Sequence, residues 1–337
     1  MPTDFAYYLT KYLSGYLVGH RNLSANTIAS YRDTFKLFLR FCREEKSIHA
    51  EILSLEVFNK SLILEFVTWL KECRHCTEST QNQRLTVLRS FFAFLQEEAP
   101  EHLFLCQSII NIEGRKKTVA SVNYLSFDGI KAILEQPNQR NRQGRRDLVL
   151  LTMLYDTGAR VQEIADLRVR DLRLSNPSGV NLLGKGQKWR YVPLMGPTTA
   201  LLRDYLEERD SLLPNNLEHP LFTNRSGQKL TRAGISDILG RHVKTARQIN
   251  PSHIPAKVTP HVFRHSKAIH LLQSGVDLIY IRDLLGHSHV KTTEIYARID
   301  SKAKRDALES AYRSAAPEKR PLWTDDAQIM KMLQSLG

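Results

Sequence analysis

Residues 259–265 read Thr259-Pro260-His261-Val262-Phe263-Arg264-His265. Thr259 predicts a helix N-cap, and Pro260 suits the first helical position. His261, Arg264 and His265 then fall three and four residues apart, one above another on a single helical face. Val262, Ile269 and Leu272 occupy a different face and predict an anchor in the core. A helix N-terminus attracts anions through its dipole and free N–H groups, so a His and an Arg displayed there are suited to hold a phosphate.

Downstream, Gly275 predicts the end of that helix. A short helix follows from Asp277 through Leu278, Ile281 and Leu285 and stops at Gly286, with His287 immediately after. A further helical turn presents Tyr296. Upstream stand Thr157-Gly158-Ala159-Arg160, with Glu163 one turn later, and Gly184-Lys185-Gly186-Gln187-Lys188. The latter stretch lies between two strand-like runs, 180–183 and 189–194, so Lys185 sits on the turn of a predicted β-hairpin. Singly, each residue has a plain structural explanation: a helical His is usually a hydrogen-bonded packing residue, a Tyr a core residue with a wet hydroxyl, an Arg a solvated one. The joint order and spacing favour a phosphate-handling site instead.

Around these stretches the second part of the chain predicts a helix capped by Ser126 and holding Ile130 and Ile133, a largely apolar helix over 145–158, and another over 161–167. Further helices are expected over 198–209 and after Thr231. Beyond Tyr296, 301–313 reads as a helix. Pro317 and Pro321 stop it, and 325–336 reads as a short amphipathic helix with Ile329, Met332 and Leu333 on one side.

The first third also reads as helical. Ser24 predicts an N-cap, with Leu23 as a staple to Ile28. Ile28, Tyr31, Phe35, Phe38 and Cys42 recur at steps of three and four. A second helix over 62–71 turns Leu62, Phe66, Trp69 and Leu70 inward. A third carries Leu85, Leu88, Phe92 and Leu95 on one face, while its other side shows Arg84 and Arg89, either solvated or turned toward phosphates. Between 113 and 123 periodicity breaks at Gly114-Arg115-Lys116-Lys117, which reads as a basic interdomain linker. The expected division is therefore a helical domain over 1–113, a linker over 114–123, a second domain over 124–312 and a tail over 313–337.

The 337 residues suit about two domains. Hydrophobic residues at 42% and charged residues at 25% fit a globular chain. No apolar stretch approaches a membrane span and the first residues do not form a secretory signal, so a cytoplasmic, nucleoid-associated protein with no membrane partner is expected. Lys and Arg total 48 against 35 Asp and Glu, for a net charge of +13, which favours a polyanionic partner. The four cysteines, Cys42, Cys73, Cys76 and Cys106, form no disulfide framework. Cys73-Arg74-His75-Cys76 resembles half a zinc site, but no second pair follows it. Val262 stands where a zincin motif needs Glu, and no two-metal carboxylate cluster is evident. No metal and no cofactor are expected.

The chain resembles the tyrosine recombinases, or phage integrase family. The matching segments are 155–164 (Tyr155-Asp156-Thr157-Gly158-Ala159-Arg160-Val161-Gln162-Glu163-Ile164), Gly184-Lys185-Gly186, His261-Val262-Phe263-Arg264-His265, Leu284-Leu285-Gly286-His287-Ser288 and Ile295-Tyr296. They follow the family's order, at spacings like those of the bacterial and integrase-like members. The match covers nearly all of the second domain. In the first domain it is weaker and best over Leu23-Ser24-Ala25-Asn26-Thr27-Ile28 to Tyr31.

The resemblance implies a mainly α fold with a small β-hairpin or sheet: a helical core-binding domain and a mixed α/β catalytic domain forming a C-shaped clamp on double-stranded DNA. It implies a site-specific recombinase that integrates or excises a mobile element or resolves chromosomes or plasmids. The long tail tilts this toward a mobile element. It further implies a homo-tetramer on two DNA sites, with accessory proteins in some members and C-terminal segments exchanged between protomers; the alternative is a tail packed in cis. By the same resemblance Tyr296 is the nucleophile, Arg160 and Arg264 bind the non-bridging oxygens, and Lys185 is the general acid. His261 assists proton transfer, His287 contacts the phosphate or positions the tyrosine, and Glu163 orients the site.

That assignment is chemically coherent. Two planar guanidiniums give forked, charge-assisted contacts that a lysine cannot copy. A tyrosine with a pKa of ~10 needs nearby cations and a proton acceptor, and the leaving alkoxide needs an acid. Two rivals stand beside recombination: a type IB topoisomerase of the same chemistry, and a non-catalytic DNA-binding regulator. The compact helical first domain and the order of the segments weigh against the former, and the complete catalytic set against the latter.

Overall fold

The computed structural model describes residues 3–115, 123–184, 186–209, 213–287, 293 and 327–335. Lys185, Tyr296 and the expected helix over 301–313 lie outside the described residues, as does most of the expected linker. The chain divides into two compact units, Met1–Ala120 and Ser121–Gly337.

Among its described residues, the first unit is all helical. Helix α1 (Asp4–Thr10) continues through π-helical turns at Lys11–His20, followed by α2 (Ala25–Lys46), α3 (Lys60–Glu72), α4 (Glu78–Glu98) and α5 (Leu103–Ile110). Ser24 caps α2 by accepting from the Thr27 N–H, Asn59 caps α3 and Thr77 caps α4. The expected apolar faces are inward: Phe35, Phe38, Cys42, Phe66, Leu70, Leu88 and Phe92 are all buried. Phe5 and Tyr12, from the two segments before α2, complete an aromatic core with Phe35 and Phe91. Burying each such ring stabilises the unit by roughly 1.5–3 kcal/mol. Arg84 is half-buried and engaged by protein. Its Nη1 donates to the Ser30 carbonyl at 2.8 Å and to Thr34 Oγ1 at 2.9 Å, tying α4 to α2. Cys42 and Cys106 are buried, Cys73 is exposed, and none is in a disulfide.

The second unit combines helices with a three-stranded antiparallel sheet. It comprises α6 (Phe127–Leu134), α7 (Arg142–Thr157), α8 (Val161–Asp166), β1 (Leu172–Arg173), β2 (Gly179–Leu183), β3 (Trp189–Pro193), α9 (Gly196–Glu207), α10 (Arg232–Ile249), α11 (Pro260–Gln273) and α12 (Leu278–Leu285), with α13 (Ala327–Gln334) in the tail. The strands run β1-β2-β3, with Leu182 opposite Arg190 and Leu183 opposite Trp189. The two-residue side-chain period sends Val180, Leu182 and Val192 into the core. The central element is α7, whose Val149, Leu150, Met153 and Leu154 are buried. Gly158, left-handed at φ +57, ends it. That turn leads directly into Arg160 at the start of α8.

Neither the short strand β1 nor the helix α5 was expected. Two residues carry too little alternation to announce a strand, and α5 is only eight residues, with Gln107 and Ser108 between two short apolar runs. Among the described residues, no helix is long and apolar enough to cross a membrane.

Candidate active site

Three chain segments meet where α7, α11 and α12 end or begin. Thr259 caps α11 by accepting from the Val262 N–H, with Pro260 in the first turn. Val262, Phe263 and Ile269 anchor the helix. The opposite face carries His261 and His265, whose rings contact edge-to-face at 4.4 Å.

Arg264 is only 1% exposed. It is therefore not displayed on the helix surface, as its spacing suggested, but set into the wall of the site. Its Nη1 donates to the Gly158 carbonyl at 2.8 Å and its Nη2 to the Leu285 carbonyl at 2.6 Å. One guanidinium thus joins the C-terminus of α7 to the C-terminus of α12. Helix ends leave carbonyls without intrahelical partners, and a buried cation is well suited to satisfy them.

Arg160 is half-exposed and close by. Its Nη2 donates to the Gly286 carbonyl at 3.3 Å, and its Nη1 to Glu163 Oε1 at 2.8 Å. Glu163 Oε2 accepts from the Arg160 backbone N–H at 2.8 Å, so Arg160 donates to the carboxylate twice at the start of α8. Burial alone would raise the Glu163 carboxyl. Its bonds to Arg190 and then to Arg160 outweigh this and hold it below the usual carboxylate range.

His287 follows α12 directly, after Gly286 at φ +63. Its Nδ1 shares a hydrogen bond of 2.9 Å with Thr293 Oγ1. Burial, and then the charges of Arg264 and Arg160, push the His287 imidazole down to about 4. His265 falls to about 4 through burial, then through His261 and Arg264. His261 is lowered by partial desolvation and then by the two guanidiniums, although much of its ring surface is open to solvent. All three imidazoles are thus held neutral at neutral pH.

Of the expected site residues, Arg160, Glu163, His261, Arg264 and His287 come together. Lys185 and Tyr296 lie outside the described residues. Two partners escaped the sequence reading. Thr293 left no signal beyond its place six residues after His287. Arg190 did leave one: it has the strand parity of buried Val192, and an arginine on an inward position needs a partner. A polar network behind the site was also missed. Lys267 Nζ lies 3.1 Å from Asp156 Oδ1, Thr198 donates to Asp156 Oδ2 at 2.8 Å, and the Tyr155 hydroxyl meets His270 Nδ1 at 2.8 Å. It braces α7 against α11. Among the described residues, no group of three or more His, Cys, Asp or Glu side chains could hold a metal ion.

The second unit of this basic chain thus gathers two guanidiniums and three imidazoles at helix ends, an arrangement suited to holding a phosphate. The profile described as "Phage integrase family" matches residues 123–303, and "Phage integrase, N-terminal SAM-like domain" matches 9–99. The chain is 33% identical over 322 residues to the integrase/recombinase designated y4rC of Sinorhizobium fredii, covering 95% of each. It is 31% identical to the tyrosine recombinase XerD of Listeria monocytogenes, covering 89% of this chain and 97% of that one. Its fold is shared with XerH recombinase bound to palindromic difH substrate in a post-cleavage complex. The TM-score is 0.68 at 24% identity, over 86% of this chain and 80% of that one. A Tn1549 transposon integrase bound to transposon right-end DNA gives a TM-score of 0.67 at 17% identity, over 88% and 97%. The chain belongs to the phage integrase family and is a tyrosine recombinase, a DNA strand-breaking and rejoining enzyme.

Proposed function

We propose that this recombinase cuts double-stranded DNA through Tyr296, whose phenolic oxygen attacks the scissile phosphorus. The P–O5′ bond breaks, the 3′-phosphate stays on the tyrosine, and the 5′-oxygen leaves as a hydroxyl. Arg160 and Arg264 hold the non-bridging oxygens and offset the charge that grows on them in the transition state. His261, neutral at physiological pH, can accept the tyrosine proton. His287 hydrogen-bonds the phosphate or positions the tyrosine, and Lys185 gives a proton to the leaving oxygen. Rejoining is the reverse, with a 5′-hydroxyl attacking the phosphotyrosine. The bond energy is kept in the covalent link, so the balance needs no nucleotide cofactor. The observation that supports this best is the convergence of Arg160, Arg264 and His287 on the carbonyl-rich ends of α7 and α12.

The division we favour is a core-binding domain over 1–113, a linker over 114–123, a catalytic domain over 124–312 and a tail over 313–337. The chain acts as a homo-tetramer on two DNA sites, with accessory proteins where the site requires them, in the cytoplasm where the nucleoid lies. Met332 and Leu333 of α13 are 61% and 45% exposed, which favours docking of the tail on a neighbouring protomer. Integration or excision of a mobile element is the favoured role.

The test is a nicked suicide substrate carrying candidate sites from the DNA flanking the gene. Products of wild type and Tyr296→Phe are separated on a denaturing protein gel. A shifted, nuclease-sensitive band with wild type alone is expected. A band that survives Tyr296→Phe overturns the assignment. Tight binding of the native element ends without any band favours a DNA-binding regulator.

A further inference from the structure

Arg190 belongs to no motif of the sequence, yet it touches three of the segments that build the site. Its side chain, on β3, is 11% exposed. Nη1 donates to Glu163 Oε1 at 3.0 Å, Nη2 to Glu163 Oε2 at 2.6 Å, and Nε to the Leu284 carbonyl at 2.9 Å. Each nitrogen of its guanidinium is thus engaged by protein. Gly184 and Gly286, which flank Lys185 and His287 in the chain, both pack on it. A methyl group at Gly286 would lie 3.0–3.2 Å from three Arg190 atoms. One at Gly184 would lie 3.2 Å from Arg190 Nη1 and 3.5 Å from Glu163 Oε1.

We infer that Arg190 is a positioning residue for strand cleavage, acting through Glu163 on Arg160 and locking the β2–β3 hairpin to the end of α12. The inference rests on the assignment of Arg160 as a phosphate ligand.

The physical argument has two parts. Glu163 carries four hydrogen bonds: two from Arg160 and two from Arg190. A carboxylate gripped by a fork on one side cannot rotate, so the guanidinium on its other side is presented in a fixed direction. The second part is charge. An arginine paired alone with a carboxylate forms a neutral unit that attracts a phosphate weakly. A second guanidinium on the same carboxylate leaves the unit with one net positive charge at Arg160. Arg190 therefore supplies the positive potential that Glu163 would otherwise cancel, without touching the DNA.

The test compares wild type, R190M, R190K, E163Q, the R190M/E163Q pair and R160A as full-length proteins. DNA dissociation constants and single-turnover covalent-complex formation at saturating nicked DNA are both measured. R190M is expected to slow cleavage by about tenfold or more, while its dissociation constant stays within about threefold of wild type. The double variant, in which Arg160 no longer faces an unbalanced carboxylate, is expected to be no slower than R190M; a merely structural arginine would give losses that multiply. R190K keeps the charge but not the fork and is expected to fall between wild type and R190M. It carries the test if R190M does not fold. An R190M or R190K rate equal to wild type, or losses that multiply in the double variant, overturns the inference provided R160A is impaired. An unimpaired R160A overturns the assignment of Arg160 itself.

Discussion

The guanidinium of Arg264 donates to the carbonyl oxygen of Gly158 at 2.8 Å, across 106 residues of sequence. Two residues after Gly158 stands Arg160. One proposed phosphate ligand therefore fixes the turn that delivers the other, and its second bond to the Leu285 carbonyl fixes the turn that delivers His287.

Arg264→Lys and Arg264→Ala should therefore fail in different ways. Lysine retains charge but cannot reach two diverging carbonyls and a phosphate together, so cleavage is expected to fall on the order of 100-fold with modest loss of stability. Alanine strands two buried carbonyls and leaves a cavity, and should lower unfolding stability by roughly 2–4 kcal/mol as well. Single-turnover cleavage and thermal unfolding of both variants separate the effects. Equal cleavage by Arg264→Lys and wild type would remove Arg264 from the reaction.

The buried imidazoles make an acid-stability prediction. His265 and His287 are held at about 4 in the folded protein, against ~6.5 in an unfolded chain. Between those values the unfolded chain binds protons that the folded one excludes. Stability is therefore full above about pH 6.5 and is lost as pH falls toward 4, by up to ~3 kcal/mol per histidine. Unfolding temperatures measured from pH 7.5 to 4.5 should fall less steeply for His287→Asn than for wild type. Identical slopes would show that His287 keeps an ordinary pKa.

The pair Lys267–Asp156 braces α11 against α7 with side chains only 15% and 13% exposed. Asp156→Ala leaves Lys267 charged, largely buried and without this partner, so a loss of roughly 2–4 kcal/mol is expected. Asp156→Ala combined with Lys267→Met should recover part of it, because no unpaired charge remains. Denaturant unfolding of the single and double variants measures the difference, and a fully additive loss would count against coupling.

The core of each unit was legible from periodicity alone. Phe35, Phe38 and Cys42, or Leu88 and Phe92, repeat at helical spacing, and local geometry then puts them on one face. The caps at Ser24, Ser126 and Thr259 were legible for the same reason, since a cap is made within four residues of chain. The sequence also set the register of His261, Arg264 and His265 and the stops at Gly158 and Gly286. The tertiary structure decided what those residues face. It buried Arg264, turned Arg84 inward onto α2, and brought Arg190 onto Glu163. Each of these is a polar side chain choosing a partner tens of residues away. Such pairings follow from desolvation and packing across elements, which short-range periodicity does not encode.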